Sequence, residues 1–141
     1  MDCSQEMLMS LEKGLVSAQT QVPECVAAGY VDMSTGMLLA VKTLDSHPQE
    51  VLDLVAAATA DLFQGSNVRA IEEMFKKRRG VTDTAHYFQE MVVFSTNLIH
   101  VFLRGKKNKD HALVLVCRAS ANVGMVISKS RMALPQVEAS L

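Results

Sequence analysis

Four histidines, three cysteines and the serines beside glycines are where catalytic or ligating chemistry would begin in this chain. A nucleophile needs a base and a group that orients the base, and an oxyanion needs donors. Ser66 sits in "QGSN", which lacks a G-x-S-x-G frame and reads as a helix-bend or surface residue. His47 and His86 fall at element boundaries and His111 opens a strand-like run. His100, inside "LIHVFL", has the right chemistry for a ligand or an acid–base group, but no His, Cys or Asp pattern accompanies it. Neither H-x-x-x-H nor C-x-x-C spacing occurs, so neither a metal nor a cofactor is expected. Cys25 and Cys117 lie in strand-like runs, where a thiol behaves as a small apolar core residue, and Cys3 reads as an exposed terminal thiol.

Gly124, in "SANVGMVISKSR" directly after "ALVLVC", raises the possibility of a phosphate turn, because helix N-termini present free amides to anions. Such a turn needs G-x-x-x-x-G-K-S/T or G-x-G-x-x-G after a strand. Here one glycine lies inside the helix, so Gly124 is expected to mark close packing against the sheet or the first helix. Two basic runs remain, "KKRR" (Lys76, Lys77, Arg78, Arg79) and "RGKKNK" (Arg104 to Lys109, with Lys106 and Lys107). Cations at a helix C-terminus complement its dipole, and lysines keep a sheet edge soluble. The functional alternative is a landing site for an acidic protein surface. A nucleic-acid track is disfavoured, because no aromatic stacking residues interleave the runs and the net charge is −1.

With 141 residues the chain suits a single domain over 1–141, burying roughly two-thirds of its unfolded surface. Apolar residues make up 49% of it, against disorder. No apolar run approaches the roughly 18 residues of a membrane span, and "MDCSQEMLMS" lacks the features of a signal peptide. Sparse, unpaired cysteines fit reduced thiols in the cytoplasm.

Leu8, Leu11 and Leu15, with Met7 alongside, predict a short amphipathic helix weakened by Gly14. After Pro23, "ECVAAGYVD" and "GMLLAVKT" read as a hairpin through "DMSTG". Residues 45–80 read as one long helix, with Ser46 and Gln49 as a capping box, Pro48 in the first turn and Gly80 at the C-terminus. Its inward face is expected to be Val51, Leu54, Val55, Ala58 and Leu62. The later set Val68, Ile71 and Phe75 points elsewhere, which means either a bend near Gly65 or a second working face. A weaker stripe, Leu52, Ala56, Phe63, Ala70 and Met74, favours the second face. Three strand-like runs follow, "HYFQEMVVF", "LIHVFLRG" and "HALVLVC", the last apolar enough to be central and covered on both sides. Asn122 caps a final helix with Val123, Val126, Ile127 and Leu134 inward, closed by Pro135. The order α-β-β-α-β-β-β-α gives an α/β (α+β) fold: a five-stranded antiparallel sheet covered by helices on both faces.

This order, with "AAGYVDMSTGMLLA", the alanine-rich "LVAAATADLF" and the helix start "ANVGMVISKSR", resembles the roadblock/dynein light chain family over most of the chain. The resemblance implies a roadblock/profilin-like fold and a non-enzymatic domain. Members form homo- or heterodimers in which sheets join through their middle strands and long helices pack side by side. They serve as dynein-associated light chains, scaffolds, or regulators of small Ras-like GTPases. The implied partners are a second copy or a paralogue, and such a GTPase or a larger complex. The implied dimer residues are Phe88, Glu90 and Val92 on the strand, and Phe63, Ala70 and Met74 on the helix, with burial inside the monomer as the other reading. A competing class is a small-molecule sensor or enzyme, for which His100, Glu90 and Tyr30 are candidates that no motif unites.

Overall fold

The computed structural model describes residues 2–141. Helix α1 (Cys3–Gln21) is capped by Asp2, whose carboxylate accepts from the Gln5 amide at 2.9 Å. It buries Leu11, Leu15 and Ala18, one residue per turn on a single face, while Met7 and Leu8 stay exposed. Strands β1 (Cys25–Asp32) and β2 (Met37–Thr43) form the expected hairpin. Its turn is closed by the Asp32 carboxylate, which accepts from the Ser34 amide and hydroxyl, and by Gly36 at φ +73°.

The expected long helix is two helices, α2 (Gln49–Gln64) and α3 (Ser66–Arg79). The break is at Gly65, whose ψ of 168° takes the chain out of helix. A Cβ there would lie 2.7 Å from the Asp61 carbonyl oxygen, so the sharp exit needs glycine. No capping box forms at Ser46. Pro48 is the N-cap of α2, without a side-chain cap bond. The inward face is also reversed. Ala56, Thr59 and Phe63 are buried, whereas Leu54 and Leu62 face solvent and Val51 and Val55 line an open cleft beside the sheet. Gly80 closes α3 in the left-handed conformation, as the sequence implies.

Strands β3 (Glu90–Phe94), β4 (Leu98–Arg104) and β5 (His111–Arg118) complete an antiparallel sheet of order β2-β1-β5-β4-β3. The apolar run "HALVLVC" is the central strand. The strand expected from His86 begins only at Glu90, because side chains hold the preceding backbone. Glu72, buried in α3, accepts from the Tyr87 amide at 2.6 Å and meets His86 Nδ1 at 3.3 Å. Arg104 donates to the Phe88 carbonyl at 2.9 Å.

Helix α4 (Val123–Ala139) is capped by Asn122 through the Met125 amide, and Pro135 lies inside it rather than ending it. Val126 and Leu134 are buried and Ile127 is half-buried, but Val123 is exposed. Gly124 is not the close-packing glycine: a Cβ there would meet only the Asn122 side chain, at 3.3 Å. That role belongs to Gly14, where a Cβ would fall 2.6 Å from Ser140 Oγ as α1 crosses α4. Helices α1 and α4 cover one sheet face over the main core of Tyr30, Val101, Leu113 and Leu115. On the other face α2 spans β1 and β2, closing a smaller core around Val31, Phe63, Phe102 and Val114.

Arg104 is almost completely buried on this second face. It donates to the carbonyls of Phe63, Phe88 and Lys109 and to Gln64 Oε1, at 2.9 to 3.1 Å. Replacing it with methionine removes the donor from the Phe63, Phe88 and Lys109 carbonyls and from Gln64 Oε1. Arg104→Met is expected to cost at least about 3 kcal/mol in urea unfolding. Arg104→Lys should recover only part of that loss, because an ammonium cannot span the same fork of acceptors.

Candidate interaction surface

The second sheet face is only partly covered, and what it leaves open is apolar. Leu54 is 70% exposed, with Val51, Val55 and Leu62 around it on α2 and Ile71, Met74 and Phe75 exposed on α3. So many large apolar side chains in sequence-contiguous helices exceed the scattered singles of an ordinary surface. At the far side of the sheet, β3 bonds only to β4. The Arg104 amide donates to Gln89 O and the Ser95 amide to Leu98 O, so residues 89, 91, 93 and 95 exchange bonds with β4. The amides of Glu90, Val92 and Phe94 therefore point away from the sheet. Phe94 is 65% exposed and Val93 is also exposed. No lysine, proline or bulge blunts this edge.

Between α2 and the sheet lies a cleft of about 410 Å³. It is lined by Ala27, Gly29 and Val116 of the sheet, by Val51 and Val55 of α2, and by His47, His100 and Arg118. His100 Nε2 sits 2.9 Å from Ser95 Oγ, and burial pushes its pKa below the ordinary histidine value.

No family model matches the chain, and no curated protein matches it in sequence. Solved structures do match in three dimensions. The gliding protein mglB from Thermus thermophilus superposes with a TM-score of 0.66 at 22% identity, over 99% of this chain and 92% of that one. A Roadblock/LC7 domain from Streptomyces avermitilis gives 0.62 at 15% identity, over 91% and 94%. MglC from Myxococcus xanthus gives 0.55 at 25% identity, over 94% and 100%. The chain has the roadblock/LC7 fold.

Within that roadblock frame, the residues singled out from sequence separate. Phe63 has no exposed surface: it is buried inside the protomer, with the Arg104 guanidinium 5.1 Å from its ring centroid, so it presents nothing to a partner. Ala70 and Met74 are exposed on α3. Phe88 is half-buried before β3. Glu90, at the start of β3, is held by a bidentate pair with Arg131 of α4, at 2.7 to 3.1 Å. Val92 is half-buried against the main core. Leu54, Val93 and Phe94 are exposed as well, although the sequence spacing places Leu54 inward. Val93 and Phe94 lie inside a run already read as a strand, and only knowledge of the edge distinguishes them.

The basic candidates divide too. Lys76 is buried and lies 3.9 Å from Asp83, so it is no docking cation, whereas Lys77, Arg78 and Arg79 project at the α3 terminus. Lys106 and Lys107 are exposed. Their backbone amides, with that of Asn108, hold the Glu138 carboxylate at 2.6 to 3.1 Å. Tyr30, Glu90 and His100 do not converge. The Tyr30 hydroxyl bonds His111 Nδ1 at 3.0 Å on the main-core face, where burial, then the Glu138 charge, pushes its pKa up. Among the described residues no three His, Cys, Asp or Glu side chains gather as a metal site, and no helix is long and apolar enough to cross a membrane.

Two outcomes follow from this geometry. Phe63→Ala should lower unfolding stability by about 3–5 kcal/mol, the cost of an emptied core site. Burial that lowers the His100 pKa means the unfolded chain binds more protons. Stability from this group is full above the unfolded value of about 6.5 and falls as pH drops below it. Denaturant titrations of the protein and of His100→Gln should therefore diverge below that pH, with the variant less acid-sensitive.

Proposed function

We propose that two copies of the chain join across β3 and the apolar faces of α2 and α3. In this reading the dimer is a non-enzymatic interaction module of the roadblock type, regulating or scaffolding a small Ras-like GTPase or a larger complex in the cytoplasm. The observation that carries the proposal is the coincidence of an unpaired backbone edge with large exposed apolar side chains on the same chain. Val93, Phe94, Leu54, Ala70 and Met74 are the proposed contacts, with Glu90 and Val92 supplying backbone amides along the edge. Lys77, Arg78, Arg79, Lys106 and Lys107 are proposed to meet an acidic partner surface, and a paralogue could replace the second copy. A small-molecule sensor is the second reading, favoured by the apolar cleft beside His100. A saturable thermal shift with a metabolite would support that alternative.

Light scattering after size exclusion should give twice the chain mass for the protein and one chain mass for Leu54→Glu combined with Val93→Glu. A monomeric native protein would overturn the dimer. Affinity capture with the purified dimer, in parallel with a GTP analogue and GDP, should enrich a Ras-like GTPase in one nucleotide state. Equal recovery of non-GTPase partners in both lanes would leave a scaffold and remove the regulatory role.

A further inference from the structure

Beyond the interaction surface, the two core cysteines form a site of their own. Cys25 opens β1, Cys117 lies near the end of β5, and the two are register partners in the antiparallel pair. The Arg118 amide donates to the Glu24 carbonyl at 3.0 Å, which brackets Cys25 and Cys117 as a non-hydrogen-bonded pair. At such a position Cα atoms stand about 4.5 Å apart, within the range a disulfide spans. Both side chains lie in the same core cluster and hence on the same face of the sheet. Both are reduced.

The local backbone is poised to give. Glu24, immediately before Cys25, has φ +51°, a left-handed conformation unfavourable for a residue with a Cβ. The β1–β5 register shifts between Cys25 and Ala27, so the strand end is irregular where the thiol sits. Opening confined to this strand end would expose Cys25 without unpairing the centre of the sheet.

We propose that Cys25 and Cys117 are a reversible dithiol–disulfide site, oxidised by hydroperoxides. The Cys25 sulfur attacks one oxygen of hydrogen peroxide, breaking the O–O bond, and becomes a sulfenic acid as hydroxide leaves and takes up the Cys25 thiol proton to form water. The Cys117 sulfur then displaces the sulfenic oxygen, which leaves as water with the Cys117 proton. In sum, two thiols and one peroxide give one disulfide and two waters. The bond between the two thiols lowers the Cys25 pKa, and the same bond together with burial raises that of Cys117. Cys25, the less buried of the two, is thus the attacking sulfur and Cys117 the resolving one. The bridge would tie the start of β1 to the end of β5, beside the point where α1 enters the sheet.

The test uses the full chain with Cys3→Ser, which leaves only these two cysteines and touches no core residue. After hydrogen peroxide treatment the protein is denatured, alkylated and weighed intact. Expected is a species lighter by two hydrogens that takes up no alkylating group, with residues 25 and 117 in one cross-linked peptide. Dithiothreitol should restore two alkylation sites. Both thiols alkylated after treatment would overturn the proposal, as would a cross-link between chains or an over-oxidised Cys25 beside a free Cys117. In Cys25→Ser, Cys117 should stay alkylatable after the same treatment. Equal oxidation of Cys117 there would assign the attack to the wrong sulfur and overturn the mechanism.

Discussion

A buried guanidinium holds the second layer of this fold together. Arg104 reaches the last turn of α2 through Phe63 O and Gln64 Oε1, the segment before β3 through Phe88 O, and the β4–β5 loop through Lys109 O. Among the described residues no carboxylate lies within ion-pair distance of it. Its charge is met by carbonyl dipoles, two of its acceptors lying in the last turn of a helix, where cations are favoured. Burial lowers its pKa, and the more distant Glu72 and Asp110 oppose that shift. A guanidinium remains charged in either case. Buried cations of this kind are costly unless their donors find acceptors, and four bonds and an aromatic face offset that cost.

This anchor determines what remains exposed. Once Phe63 and Gln64 are pinned over β4, α2 approaches the sheet through small residues, Ala56 and Thr59, leaving Leu54 and Leu62 turned outward and Val51 and Val55 along an open cleft. The chain then leaves the helix at Gly65, and Glu72 of α3 fixes Tyr87 just as Arg104 fixes Phe88. Together they deliver the chain to β3 with its outer amides unpaired. The other edge strand, β2, carries Lys42 in a pair with Glu12 of α1. Strand β3 has no such guard on its outer edge, because Glu90 is turned toward Arg131. The two edges are thus treated differently.

Much of this was legible in the amino-acid order. The alternation in "ECVAAGYVD" and "GMLLAVKT", the unbroken apolar run of β5, the Asn122 cap and the Gly80 terminus act locally, and each falls where its chemistry puts it. The α2 phase did not, because Val51-Leu54-Val55-Leu62 and Ala56-Thr59-Phe63 both have helical spacing, and hydrophobicity alone selects the larger residues. Arg104 ends an apolar strand before a glycine and a basic loop, where an exposed cation is the ordinary expectation. Its burial depends on residues 16 to 41 positions away. The facing of Cys25 and Cys117 likewise needs the β1–β5 register, which no local pattern encodes.

Amide hydrogen exchange along β3, followed at residue resolution over a range of protein concentrations, tests the interface most directly. The amides of Glu90, Val92 and Phe94 point away from the protomer, so in a lone chain they exchange as a free edge. They are expected to become slow to exchange as concentration rises, together with slower exchange along α2. Exchange of these three amides at free-edge rates at every concentration would contradict a joined sheet and leave the apolar face of α2 without its proposed partner.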